Sequence, residues 1–288
     1  MKILVFGHSG QVATELRALH SDAIQITTLA RSDADLTEPA GCAASINAYA
    51  PDAVINAAAY TAVDHAESDA ETAQLINADA PAAMASACAA RDIPFVSIST
   101  DYVFSGAGDT PWKPADDTDP QSVYGRSKRD GEVAIVKADG RYAVLRTSWV
   151  VSAYGNNFVK TMLRLGSDRE ALTIVADQIG SPTGAAEIAQ ACVTIAKTLA
   201  SEPEKSGIYH FSGAPDTSWA DFARVIFDAA NIPCAVTDIP SSDYPTPAKR
   251  PLNSRLDCTT TKAAFGISRP DWRESLTHIL TQLDFPKD

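Results

Sequence analysis

Tyr124 and Lys128 stand four residues apart, and Thr100 follows a strand-like run upstream of them. A tyrosine and a lysine at this spacing share one face of a helix. There the ammonium group can stabilise a phenolate and lower the tyrosine pKa from its reference value of about 10. Such a tyrosine can give a proton to a carbonyl oxygen, or take one from an alcohol, near neutral pH. The Thr100 hydroxyl can hydrogen-bond the same oxygen and stabilise its developing charge.

The Tyr-x-x-x-Lys pattern alone is weak, because a surface helix with a tyrosine and a solvated lysine has the same spacing. A glycine-rich turn upstream adds weight. Gly7 and Gly10 directly follow a candidate strand at residues 3–6, and Ala13 fills the third small position of the pattern. The glycines allow a tight turn and a close approach to a pyrophosphate, which would sit on the following helix N-terminus. The alternative is an ordinary tight turn between strand and helix.

The end of the second candidate strand bears on the choice between NADPH and NADH. An arginine there tolerates a 2′-phosphate, whereas a carboxylate grips a ribose 2′-hydroxyl. Arg31 is the nearer residue, with Asp35 and Leu36 behind it near the adenine, so NADPH is favoured and NADH is the alternative. The predicted cofactor-binding residues are Gly7, Ser9, Gly10, Gln11, Val12, Arg31, Asp35, Leu36, Ala57, Ala58, Ala59, Tyr124 and Lys128.

Short β-rich runs alternate with helical segments through the first half of the chain. This predicts an α/β fold with a doubly wound parallel sheet of the Rossmann type and a smaller C-terminal α/β substrate domain. We expect residues 1–148 to bind the dinucleotide and residues 149–288 mainly to bind substrate, with some segments returning to the first domain. Predicted strands cover residues 3–6, 24–29, 53–56, 95–99, 142–147, 172–175 and 208–211. Predicted helices cover residues 11–19, 39–49, 70–90, 157–165, 184–200, 219–230 and 273–283, and another begins after an N-cap at Ser122.

Two loops and the overall composition complete the expectations. Residues 105–120 and 240–251 are rich in glycine or proline and predict long loops, which are usually functional in compact domains. The net charge of −12 argues against a nucleic-acid or anionic-membrane partner. No signal-peptide core or membrane span is apparent. The five scattered cysteines lack Cys-x-x-Cys spacing, so we expect reduced thiols in a cytoplasmic protein.

Eight motifs resemble those of the extended short-chain dehydrogenase/reductases and, more narrowly, the dTDP-4-dehydrorhamnose reductase family. They span nearly the whole chain, at residues 6–12, 56–64, 99–104, 123–128, 146–150, 155–158, 177–184 and 244–256. The resemblance implies reduction of the C4 ketone of dTDP-4-dehydro-L-rhamnose (dTDP-4-keto-6-deoxy-L-mannose) by NADPH or NADH, within dTDP-rhamnose and cell-surface polysaccharide biosynthesis. Thr100, Tyr124 and Lys128 would be catalytic, with Tyr124 as proton donor. The implied substrate-binding residues are Val63, Thr100, Tyr102, Phe104, Trp149, Arg250 and Asn253.

Two features of the resemblance concern partners. Lys249, Arg250 and Arg255 form a basic group suited to the diphosphate of a nucleotide sugar, although a surface salt bridge is the alternative for Arg250. Some family members share Mg²⁺ between subunits, and Glu15 and Glu187 match two of the acidic positions. The tail at residues 284–288 offers no third match, so we expect no metal and a solvated carboxylate at Glu15. A monomer or a homodimer is expected.

Two rival functions can be weighed on the sequence. A nucleotide-sugar 4,6-dehydratase or epimerase is the first; a dehydratase needs an Asp-Glu pair after the strand-end threonine, and Asp101 is followed by Tyr102. The second is a non-catalytic regulatory subunit resembling that of methionine adenosyltransferase. It is disfavoured because the catalytic trio and the motifs of the second half occur together.

Overall fold

A computed structural model describes residues 1–285 of the chain. The strands are β1 Lys2–Phe6, β2 Gln25–Leu29, β3 Ala53–Asn56, β4 Phe95–Thr100, β5 Tyr142–Thr147, β6 Val150–Val151, β7 Ala171–Val175, β8 Ile179–Gly180, β9 Thr183–Gly184, β10 Gly207–His210, β11 Thr217–Ser218 and β12 Ala235–Ile239. The helices are α1 Gln11–Ala18, α2 Pro39–Tyr49, α3 Val63–Ala66, α4 Ala70–Gln74, α5 Ala80–Ala90, α6 Val123–Lys137, α7 Phe158–Asp168, α8 Ala185–Ser201, α9 Trp219–Ala229, α10 Thr259–Phe265 and α11 Trp272–Gln282.

A six-stranded parallel sheet in the order β10-β5-β4-β3-β1-β2 forms the centre of the fold. The chain runs from β1 outward to β2 and then crosses back to β3 on the other side of β1. Ligand crevices of open α/β sheets form at such a reversal, outside the carboxyl ends of the strands. The predicted doubly wound parallel sheet is therefore confirmed.

Alternate residues of β1 show why helices cover both faces of this sheet. Ile3 and Val5 are buried in a cluster with residues of α1 and α8, while Leu4 and Phe6 are buried with residues of α2 and α5. Side chains of a strand point to opposite faces in turn, so an all-apolar strand needs cover on both sides. This double cover fixes β1 rigidly and with it the turn that follows.

The second half of the chain has a core of its own. Apolar faces of α7, α9 and α11 meet there beside β7, which pairs in parallel with β12. Both α8 and β10 lie beyond residue 148, yet they pack on or join the central sheet. The division into two domains at residue 148 stays a prediction. None of the helices within residues 1–285 has the length and apolarity to cross a membrane.

The long helix predicted at residues 70–90 is interrupted, and this prediction is wrong in detail. A π-helical turn, Leu75–Asp79, separates α4 from α5. Pro81 has no N–H to donate to a carbonyl of the preceding turn, which disfavours a continuous helix at this point. Asn77 of this turn is buried; its Oδ1 accepts a hydrogen bond from the Tyr60 backbone and its Nδ2 donates to Ser127 Oγ on α6. The elements α3, α10, β6, β8, β9, β11 and β12 were not predicted.

Candidate active site

A cleft of about 800 Å³ opens at the carboxyl ends of β1, β3, β4 and β5. Every predicted cofactor residue lines it, from the turn after β1 to the helix α6. Four predicted substrate residues also line it, namely Val63, Thr100, Tyr102 and Trp149. Cofactor and substrate candidates therefore face one continuous space.

The glycine turn after β1 is built for close approach. Gly7 has φ of +117°, a conformation that L side chains rarely adopt, and a Cβ there would lie 3.3 Å from both Ala13 Cβ and the Ala57 carbonyl carbon. Gly10 is the N-cap of α1 and has no side-chain cap, and nothing lies within 4 Å of the position a Cβ would take. The free N–H groups of this helix end can bind an anion.

Arg31, the predicted contact for a 2′-phosphate, is already paired. Its Nε donates to Asp35 Oδ2 at 3.0 Å, and its side chain is 78% exposed. Hydrogen bonds from the Thr37 backbone and hydroxyl, followed by one from Arg31, lower the Asp35 pKa to about 2. The carboxylate is thus charged at neutral pH and partly offsets the positive charge of Arg31.

The start of α6 places the catalytic candidates. Ser122 Oγ accepts a hydrogen bond from Gly125 N at 3.1 Å, which confirms the predicted N-cap. A Cβ on Gly125 would lie 2.3 Å from Tyr102 O, so only glycine lets the helix come this close to the turn after β4. As a result the Tyr124 ring stands edge-on to Tyr102, with 5.5 Å between centroids. Thr100, from the end of β4, lines the same cleft and is close enough to the Tyr124 hydroxyl to offset part of the rise that burial causes in its pKa.

The pKa values of Tyr124 and Lys128 correct one expectation. Burial raises the pKa of Tyr124 to about 12, and the neighbouring Thr100 hydroxyl offsets only part of the rise. Lys128 donates from Nζ to Ile98 O at 2.7 Å; burial lowers its pKa to about 8, against the opposing charge of Glu132. The predicted lowering of the tyrosine pKa by Lys128 is not found, because desolvation of the phenolate dominates.

Asp101 lies directly beneath the Thr100 hydroxyl. The threonine Oγ1 donates to Asp101 Oδ1 at 3.1 Å and accepts from Tyr102 N at 3.2 Å. Burial raises the pKa of Asp101 to about 6, partly offset by hydrogen bonds with Ser254 and Thr100. These contacts hold the Thr100 side chain in one orientation at the cleft wall.

An aromatic wall closes the other side of the cleft. Trp149 has φ of +47°, unusual for a residue with a large side chain, and its ring stacks on Trp219 at a centroid distance of 3.5 Å. Both rings line the cleft. Trp219, at the start of α9, was not predicted as a site residue, and no motif pointed to it. Thr147 and Ser148 were also missed, although Thr147 ends β5 opposite Thr100 and Ser148 follows it, so the strand-end rule could have found them.

Phe104 and Asn253, both predicted to bind substrate, do not line the cleft. The Phe104 ring is buried and stacks on Trp112 at 4.7 Å. Asn253 is buried and donates from Nδ2 to Thr110 O at 2.8 Å. Both side chains hold the 105–120 loop. Packing on Trp112 occupies the Phe104 ring, and the hydrogen bond to Thr110 O occupies the Asn253 amide. Neither group is therefore placed to contact a substrate in the cleft. Their predicted role is therefore corrected to support of this loop.

The three cations of the predicted basic group have separate partners. Arg250 donates from Nη2 to Asp64 Oδ2 at 2.6 Å. Burial raises the pKa of Tyr102 and the Arg250 charge offsets part of the rise, so Arg250 stands behind this cleft residue. Its Nη1 is buried without a partner among the described residues. Lys249 and Arg255 point to other partners on separate loops. The three cations therefore do not form one anion site in this structure.

The two acidic metal candidates lie close together. Burial raises the pKa of Glu15, and the charge of Glu187 raises it further. Glu15 is half-buried rather than solvated, and Glu187 accepts a hydrogen bond from Ser275 Oγ at 2.7 Å. Residues 1–285 contain no group of three or more His, Cys, Asp or Glu side chains that could hold a metal ion. The last three tail positions, 286–288, lie outside the described residues.

Comparison with known proteins decides the family. A family profile described as the RmlD substrate binding domain matches residues 1–285. The dTDP-4-dehydrorhamnose reductase of Sinorhizobium fredii is 44% identical over 289 residues, which cover 98% of each chain. The chain belongs to the dTDP-4-dehydrorhamnose reductase family. The resemblance seen in the motifs is confirmed, and so is its assignment as an enzyme.

Solved structures of this family agree with the fold. A dTDP-4-dehydrorhamnose reductase from Clostridium acetobutylicum has a TM-score of 0.91 at 35% identity, over 98% of this chain and 99% of that one. The enzyme from Bacillus anthracis, solved in complex with NADP, has a TM-score of 0.91 at 33% identity over the same shares. Family members thus share both the central sheet and the arrangement of the second half.

Proposed function

We propose that the protein reduces the C4 ketone of dTDP-4-dehydro-L-rhamnose to dTDP-L-rhamnose, with NADPH or NADH as hydride donor and Tyr124 as proton donor. The observation that carries this proposal is the pairing of Thr100 with Tyr124 at one wall of a cleft that ends at the glycine turn after β1. The names of the full-length relatives support the substrate. The five buried free cysteines fit work in the reducing cytoplasm.

The cleft has the features that a nicotinamide dinucleotide requires. The N-terminus of α1 can hold the pyrophosphate, and the open space over Gly10 admits it. Ala57, Ala58 and Ala59 offer a flat surface beside this turn. When bound, the reduced nicotinamide supplies a hydride. The complex of the Bacillus anthracis relative with NADP supports this use of the cleft.

Proton transfer is assigned to Tyr124. Ketone reduction needs a group that starts protonated, and a tyrosine whose pKa is about 12 holds its proton at neutral pH. Thr100 Oγ1 accepts from Tyr102 N and donates its one hydrogen to Asp101 Oδ1; in the reaction that hydrogen would turn to the same substrate oxygen as charge develops on it. Lys128, with a pKa of about 8, is about nine-tenths ammonium at pH 7 and can donate to the ribose hydroxyls of the cofactor.

The sugar would lie between Tyr102 and the tryptophan wall. Val63, Tyr102 and Trp149 line this part of the cleft, and aromatic faces pack well on the apolar faces of sugar rings. Arg250, behind Tyr102, would act by orienting that side chain.

A coupled assay tests the reaction. The substrate is generated in situ by the upstream dehydratase and epimerase, and oxidation of NADPH and NADH is followed in parallel with NMR identification of the product. We expect cofactor oxidation and dTDP-L-rhamnose. Turnover of another nucleotide sugar without turnover of this one would overturn the substrate assignment, and tightly bound NAD⁺ in the purified protein would favour an epimerase or dehydratase.

The Tyr124→Phe variant tests the proton donor. It keeps the ring but loses the hydroxyl, so kcat should fall by about 10²- to 10⁴-fold while cofactor binding persists. Tyr49→Phe, at an exposed position on α2, is the matched control and should match wild type. A Tyr124→Phe rate near wild type would show that another group donates the proton.

A further inference from the structure

A buried ion pair lies behind the catalytic residues, and the mechanism above does not use it. Arg146 Nη2 and Glu132 Oε2 are 2.6 Å apart, with side chains only 3% and 4% exposed. The Arg146 Nε donates to Glu132 Oε1 at 3.0 Å, so the contact is bidentate. Ser99 Oγ also donates to Glu132 Oε1, at 2.5 Å. Every oxygen of this carboxylate therefore has a fixed partner.

Stability alone does not explain such a pair. Removing two charges from water costs several kcal/mol per ion, and apolar replacements of buried pairs are often neutral or stabilising. Val144 and Leu145, on the same strand as Arg146, are apolar and fully buried. The role of this charged pair is therefore to be found in the groups that the two charges face.

Glu132 faces the catalytic lysine. It follows Lys128 by four residues on α6, so both side chains lie on the same helix face as Tyr124. Lys128 Nζ is held by Ile98 O on β4, the strand that also supplies Ser99 to Glu132. The carboxylate and the ammonium are thus fixed to neighbouring residues of one strand. The charge of Glu132 opposes the loss of the Lys128 proton that burial favours.

Arg146 extends the arrangement to the 105–120 loop. Its Nη1 donates to Pro114 O at 3.2 Å, and its guanidinium carbon lies 4.9 Å from the centroid of the Phe104 ring. The same Nη1 lies 3.4 Å from His210 Nε2. Burial and Arg146 lower the His210 pKa to about 3, so this imidazole is neutral at working pH and adds no charge. These contacts fix the Arg146 side chain, which in turn holds the Glu132 carboxylate in place.

We propose that Glu132 is a positioning residue for the reaction, clamped by Arg146 and Ser99 so that its carboxylate keeps Lys128 in place as an ammonium ion. The inference rests on the proposed function only in giving Lys128 a catalytic role. The other ionisable groups around Lys128 are Tyr124 on α6 and Asp101 after β4, both on the cleft side. Among residues 1–285, Glu132 is the acidic group whose charge raises the Lys128 pKa, and the Arg146 guanidinium behind it acts in the opposite sense.

The test is direct titration of Lys128. Protein labelled with [ε-¹³C]lysine is titrated by NMR, with the Lys128 signal assigned from Lys128→Arg. In wild type the signal should titrate near pH 8. Glu132→Gln should lower that midpoint by about one unit or more. At pH 8 this is about a fivefold loss of the ammonium form, and the alkaline limb of the pH profile of kcat/KM should move down equally.

Matched variants separate positioning from folding. Asp130→Asn removes a negative charge two residues away, at a side chain 40% exposed and paired with Arg129, and should leave the Lys128 midpoint unchanged. Glu132→Asp keeps the charge and should restore part of the shift. If Glu132→Gln does not fold, the double variant Glu132→Gln/Arg146→Gln, which leaves no unpaired charge, should show a smaller fall in the same direction, because the more distant guanidinium charge is lost together with the carboxylate.

The outcomes are distinguishable from those of the substrate test. A Lys128 midpoint that stays at its wild-type value in Glu132→Gln, or in the double variant, would overturn the proposal whatever the substrate is. A fall equal to that in Asp130→Asn would also overturn it, because it would reflect general charge rather than placement. A failed sugar assay with the expected NMR shift would refute the substrate assignment and leave the positioning role standing.

Discussion

Gly125→Ala should damage catalysis without changing a chemical group. A Cβ at this position would lie 2.3 Å from Tyr102 O and 3.0 Å from Pro120 Cβ. Contacts shorter than 3.0 Å are essentially never made by real Cβ atoms, and ordinary contact begins near 3.4 Å. The start of α6 must therefore move away from the turn after β4 by about 1 Å. Tyr124, the adjacent residue, must move with it.

The expected size of the effect follows from that displacement. A misplacement of about 1 Å at a reacting group costs on the order of 10²-fold in rate. Overpacking of this kind also costs about 1 to 3 kcal/mol of stability. We therefore expect kcat to fall by about 10²-fold, with cofactor affinity nearly unchanged because the glycine turn after β1 is remote. The variant should be assayed with NADPH and the nucleotide sugar well below its own unfolding temperature.

Gly41→Ala is the matched control for this experiment. Gly41 lies in α2, and a Cβ there would meet only Glu38 Cβ at 3.7 Å, an ordinary contact. It should be active and about 0.4 to 1 kcal/mol more stable, since alanine reduces the freedom of the unfolded chain. A Gly125→Ala variant whose kcat stays within about threefold of wild type would refute the reasoning that this close approach places Tyr124.

Two further predictions concern charge. Asp35→Asn should free Arg31 and raise the preference for NADPH over NADH by about two- to fivefold, the range for a surface charge pair; an unchanged ratio of kcat/KM values would exclude this role. Burial and the Arg146 charge lower the pKa of His210 to about 3. Between pH 6.5 and 3 the unfolded chain therefore binds a proton at His210 that the native state does not bind. Because of this difference, stability falls as the pH falls. His210→Gln should remove about 2 to 3 kcal/mol of the loss between pH 6.5 and 4.5 in urea unfolding, whereas the exposed His278→Gln should not.

The sequence predicted well those elements whose local signals agree with their place in the fold. The bounds of α2 match the prediction because Pro39 suits the first turn of a helix and apolar spacing supports the rest. The bounds of β5 match because an apolar run is flanked by polar residues. The Ser122 cap followed from residue type alone. In each case local preference and tertiary contact point to the same conformation.

Other features depended on contacts that no local pattern records. The π-helical turn at Leu75–Asp79 is associated with side-chain bonds from Asn77 to a loop and to α6, far away in sequence. Phe104 stands in a motif beside the catalytic threonine, yet it points into the core. The Tyr124 pKa depends on burial, which the four-residue spacing to Lys128 cannot reveal. Spacing predicted which groups meet, but the environment decides their protonation.

The helix α6 explains why a short motif can be catalytic here. Tyr124, Lys128 and Glu132 recur every four residues, so they form one column that runs from the cleft towards the buried ion pair. Two glycines bring this helix unusually close to its neighbours: a Cβ on Gly125 would lie 2.3 Å from Tyr102 O, and one on Gly131 would lie 2.1 Å from Asn77 O. The helix is therefore pinned at both ends of the column. A surface helix with the same tyrosine and lysine would lack these contacts, and its ammonium and phenol would be solvated and free to move.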